Sequence, residues 1–76
     1  MQFPTIEQVV RYRLELYLDQ LDGTPPNNVH AMVIQAAERA AIDFILEYAE
    51  GNQALAADYL GLSRPTLRKK LVSASQ

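Results

Sequence analysis

Cysteine is absent, so the chain can form neither a disulfide nor a thiolate zinc site. A single histidine, His30, offers no imidazole set for a transition metal, and its place near a helix start suits a surface or interface position. No apolar run is long enough to span a membrane, and Met1 to Thr5 carry no positive cluster of the kind that opens a signal peptide. A cytoplasmic location fits both absences. Internal repeats, low-complexity tracts and strand-type alternation are also missing. There is no nucleophile–base pair, no phosphate-binding glycine loop and no metal-ligand spacing. Glu47 and Glu50 read as solvated carboxylates at a helix end. The chain is therefore expected to be no enzyme and to use no cofactor, metal or small-molecule substrate.

Acid is missing from one stretch only. Residues 1–63 hold Arg11, Arg13 and Arg39 against nine carboxylates, whereas residues 64–76 hold Arg64, Arg68, Lys69 and Lys70 against none. Four of the seven cations thus lie within seven residues of a chain whose net charge is −2. Such a local patch attracts phosphates while the acidic remainder limits indiscriminate adhesion. The competing reading is a solvated helix end, where cations also suit the macrodipole. What precedes the patch separates the two.

Four helical segments are expected in this all-α chain. Thr5 is a candidate N-cap for a helix over 5–22, with Glu7 in its first turn and Val10, Leu14, Tyr17, Leu18 and Leu21 at helical spacing. Asp22-Gly23 ends it, and Thr24-Pro25-Pro26-Asn27-Asn28 forms a turn. Asn27 or Asn28 can cap a second helix over 28–49. Its apolar residues come in pairs every four positions: Met32/Val33, Ala36/Ala37, Ala40/Ala41, Phe44/Ile45 and Tyr48/Ala49. Four steps of about 100° overshoot a turn by about 40°, so this stripe winds around the helix. Ile34, Ile42 and Leu46 widen it further. One neighbouring helix cannot cover that much surface, which predicts packing against the first helix, the C-terminal helices and a second subunit. A monomeric four-helix bundle is the alternative. With 76 residues, 49% of them hydrophobic, the chain makes one domain over 1–76 whose core is marginal for an isolated monomer.

Gly51 closes the second helix and Asn52 caps a third over 52–60. Ala57 is small where two helices cross, and Gly61 supplies the turn between them. Leu60 and Leu62 can bury beneath that turn. Ser63 caps a fourth helix over 64–72, with Pro65 in its first turn and Leu67 and Leu71 anchoring it inward. Val72 to Gln76 read as a fraying tail. A helix, a short turn and a basic helix over 52–72 make a helix-turn-helix, a unit that seats its second helix in the DNA major groove. With the leucines inward, Arg64, Thr66, Arg68, Lys69 and Lys70 project outward. Arg64, nearest the helix start, can grip guanine O6 and N7, and the later cations meet phosphates. Ser63 and Thr66 can add hydroxyl contacts to phosphate. Ser63 and Asn52 each have a plainer role as caps alone, and Lys70 as a solvated cation.

The run GNQALAADYLGLSRPTLRKKL, residues 51–71, is similar to the C-terminal motif of the Fis family of bacterial nucleoid-associated DNA-binding proteins. The order of helix, proline-containing loop, long helix and helix-turn-helix resembles that family over most of the chain. A related motif closes the NtrC-type activators, whose ATPase domain is absent here. The resemblance implies an intertwined homodimer that binds and bends double-stranded DNA with tolerant sequence preference, as a nucleoid-associated transcriptional regulator. It further implies that Asn52 contacts phosphate, that Arg64 reads a base, that Thr66, Arg68 and Lys69 hold the backbone and that Lys70 reaches flanking DNA. Ala54 and Leu55 stand where stand-alone members carry polar and basic residues, which implies a weaker grip. Ser63 stands where those members often have asparagine, so half-site discrimination should differ. Few residues precede the first helix, and no activation of DNA invertases is expected. Two alternatives remain: a helical dimer serving as a protein-interaction module, and a detached DNA-binding domain of an NtrC-type activator.

Overall fold

A computed structural model of the chain describes residues 3–74. Its regular structure is entirely helical: α1 (Ile6–Leu21), α2 (Val29–Tyr48), α3 (Gln53–Leu60) and α4 (Arg64–Ala74), with no strand among the described residues. Contacts divide the chain into two compact units, with the boundary inside α2 between Val33 and Ile34.

In the first unit, α1 begins at a reciprocal cap. Thr5 is extended (φ −78°, ψ 165°), its Oγ1 accepts from the Gln8 N–H at 3.1 Å, and Gln8 Oε1 accepts from the Thr5 N–H at 2.8 Å. This capping box satisfies two backbone donors that a helix start otherwise leaves open. Asp22 and Gly23, at φ 49° and 88°, end the helix in the left-handed region. Val10, Leu14, Tyr17 and Leu21 are half-buried along one stripe, yet no residue of α1 is buried. Asn28, one of the two candidate caps of α2, sits at φ 53°, outside the extended region usual for a capping residue, and its backbone carbonyl accepts from the Met32 N–H.

The second unit holds the core. Ile42 and Ala49 from α2 and its end, Ala56 and Ala57 from α3, and Leu67 from α4 are buried, with Ile45, Leu46, Leu60 and Leu71 packed against them. Ala56 and Ala57 are 0% and 1% exposed, so α3 turns its smallest side chains into the core. Glu50 and Gly51 (φ 56° and 81°) close α2, the Gly51 N–H reaching the Leu46 carbonyl at 2.9 Å. The pairing of left-handed cap and long backward bond recurs at Gly61 (φ 76°), where the Leu62 N–H reaches the Ala57 carbonyl at 2.9 Å. That turn delivers the chain into α4. The last helix runs two residues beyond its expected end at 72, because nothing after Leu71 breaks it; of the expected fraying tail, 75 and 76 lie outside the described residues.

Candidate nucleic-acid interface

Leu67 is the pivot of the site. It is 1% exposed, and Leu71, one turn later, packs on the same core. With these two side chains inward, the remaining α4 positions are distributed by the helical step of about 100° per residue. Arg64 and Arg68, four apart, share one flank and are exposed; Lys69 follows on the outermost face and is also exposed. Among the described residues none of these three cations forms an ion pair, and Arg64, Pro65, Arg68, Lys69, Val72 and Ser73 line one shallow hollow. Two guanidiniums and an ammonium on one open surface suit a polyanion: the guanidiniums bind in forked pairs, the ammonium as a point charge.

Ser63 and Thr66 meet at the entry to α4. Ser63 Oγ accepts from the Thr66 N–H at 3.3 Å and donates to Thr66 Oγ1 at 2.8 Å. Ser63 therefore serves as a cap, as its residue type suggests, while the Thr66 hydroxyl proton stays available to an outside acceptor. Asn52 plays the matching part for α3: its Oδ1 accepts from the Leu55 N–H at 3.1 Å, and the exposed side chain keeps its amide donor for another partner. Capping and outside contact are thus compatible in one residue. Ala54 is half-buried and Leu55 is 37% exposed, so α3 presents apolar surface beside Asn52.

Lys70 stands apart. Its Nζ lies 3.0 Å from Glu38 Oε2 and donates to Oε1 at 3.1 Å, both side chains being half-buried. It lines a second hollow with Gln35, Glu38, Arg39, Lys69 and Ser73. Sequence reading missed Glu38, which is 32 residues from its partner; the signal was its position one turn before the buried Ile42 on α2. His30, Glu47 and Glu50 are exposed, and among the described residues no group of three or more histidine or acidic side chains could hold a metal. Among the described residues no helix is long and apolar enough to cross a membrane.

This arrangement coincides with a known family pattern: that of the bacterial regulatory proteins of the Fis family matches residues 32–72, a span that contains all seven candidate site residues. The chain belongs to the Fis family. It is 53% identical over 66 residues to a Fis-like DNA-binding protein of Ralstonia nicotianae, covering 87% of this chain and 86% of that one. A Fis-like DNA-binding protein of Neisseria meningitidis serogroup B is 44% identical over 69 residues, 91% of this chain and 87% of the relative. DNA-binding protein Fis of Haemophilus influenzae is 45% identical over 62 residues, which cover 82% of this chain and 63% of that protein. No solved structure matches the chain. Fis-family proteins are regulators and not enzymes, so this chain is not an enzyme either.

Proposed function

We propose that this chain is a homodimeric, sequence-tolerant DNA-binding and DNA-bending protein, acting as a nucleoid-associated transcriptional regulator in the bacterial cytoplasm. The carrying observation is the face of α4: Leu67 buried at 1% exposure, with Arg64, Arg68 and Lys69 exposed on the other side. Arg64 enters the major groove and reads guanine. Arg68, Lys69, the Thr66 hydroxyl and the Asn52 amide hold phosphates and fix the register, with Ser63 held to its capping role. The names of the Ralstonia and Haemophilus relatives, both DNA-binding proteins, support the same partner.

Support for the dimer comes from apolar surface without cover in the single chain. Phe3 and Ile6 are 86% and 76% exposed, and on α2 Phe44 and Tyr48 are 66% and 69% exposed. A two-fold partner is the commonest way for a small chain to bury such surface. Bending is what the resemblance to the Fis family implies: recognition helices paired closer than one duplex turn of about 34 Å would require the DNA to curve to meet both.

Fluorescence anisotropy with a duplex of about 30 base pairs at two salt concentrations tests the binding, and a circular-permutation gel assay tests the bend. Salt-steep binding with position-dependent mobility is expected. Absence of salt-dependent binding would remove the proposal.

A further inference from the structure

Lys70 and Glu38 form a contact that the DNA-reading face does not use. Both carboxylate oxygens face the ammonium, at 3.0 and 3.1 Å, so the pair is closed and directional. The helical step places Lys70 two residues, or about 200°, beyond Arg68, which is about 160° away by the short route. Lys70 therefore stands on a different face of α4 from Arg68. Arg64 and Arg68 line one hollow and Lys70 lines the other with residues of α2, the two meeting at Lys69 and Ser73, which line both. Glu38 lies one turn before Ile42, so the pair extends the buried stripe of α2 at the edge where α4 leans on it.

We infer that Lys70 is a positioning residue: through Glu38 it fixes the tilt of α4 on α2, and thereby aims Arg64, and it is not among the phosphate contacts. This rests on the DNA-binding reading above and gives Lys70 a different part from the one the resemblance implies. A half-exposed ion pair adds little to overall stability. Its consequence is angular, since a small rotation of α4 moves a guanidinium at the helix start off a base edge.

The experiment uses the full chain with K70Q, E38Q, the double variant and the charge-swapped E38K/K70E. Anisotropy titrations over a salt series are run on a preferred and an unrelated duplex, and amide hydrogen exchange of α4 is measured without DNA. Each single variant should lower the ratio of specific to non-specific affinity by up to about five-fold, the range open to a partly exposed pair. The slope of affinity against salt should stay unchanged. The double variant should be no worse than either single, the swap should recover the ratio, and α4 amides should exchange faster in both singles and recover in the swap. A drop of about one unit in the salt slope for K70Q, with tighter binding by E38Q, would make Lys70 a phosphate contact held back by Glu38 and overturn the inference. Unchanged α4 exchange in both singles would overturn it as well. If the parent chain binds no duplex, the DNA reading falls by itself, and the exchange data alone decide whether the strut exists.

Discussion

At the scale of single residues, the cations of α4 differ by where they point, and their substitutions should differ in kind. Arg64→Ala should cost about 1–3 kcal/mol of discrimination and relax preference at one guanine per half-site, measured by competition against duplexes altered at that position. Lys69→Ala should weaken every sequence similarly and reduce the salt slope by about one unit. Asn52 separates two roles in one side chain. Asparagine and aspartate cap helices about equally well, so Asn52→Asp should leave the melting temperature nearly unchanged. The same substitution replaces an amide donor with a second anionic oxygen, so DNA affinity should fall. Unchanged DNA affinity beside an unchanged melting temperature would make Asn52 a cap alone.

Helices and their ends make up the next scale. Most of the boundaries were legible because the signals are local: Thr5 and Asn52 accept from the residue three places on, Ser63 does the same from Thr66, and Gly51 and Gly61 take left-handed conformations. Gln8 completes a capping box whose spacing stands in the sequence, although only Thr5 and Glu7 drew notice there. The polar contact between distant positions was not legible. Lys70 and Glu38 meet through the packing of α4 on α2, and nothing in the spacing of either residue names the other. Asn28 likewise takes a positive φ that its residue type tolerates but does not dictate. Gly61→Ala tests the turn. A Cβ there would meet nothing within 4 Å, so the expected loss, about 1–2 kcal/mol in urea unfolding, is backbone strain alone. Leu67→Ala should cost about 2–5 kcal/mol and abolish DNA binding, because Leu67 is the one buried anchor of α4 among the described residues.

For the whole molecule, the apolar stripe read along α2 stays largely open in the single chain: Met32, Ile34, Phe44 and Tyr48 are exposed, while Ile42 and Ala49 are covered. Tyr48 also leans on Tyr59 of α3, ring centres 5.7 Å apart, so part of the open surface is already organised. Light scattering should give twice the 8.5 kDa chain mass, and a monomer at every concentration would remove the proposed dimer. The melting temperature should rise with protein concentration, as it does whenever folding and association are linked.

α1 has well-made ends but no buried residue, so its persistence depends on what lies alongside it. In the dimeric reading that neighbour is another copy, and dilution loosens the helix by removing its company. Paired chains then scale with the square of abundance when copies are scarce. Half the supply leaves about a quarter of the pairs, and a lone chain holds only one of the two half-sites. The amount of protein a cell makes would thus set, more steeply than in proportion, how much of its chromosome is held curved.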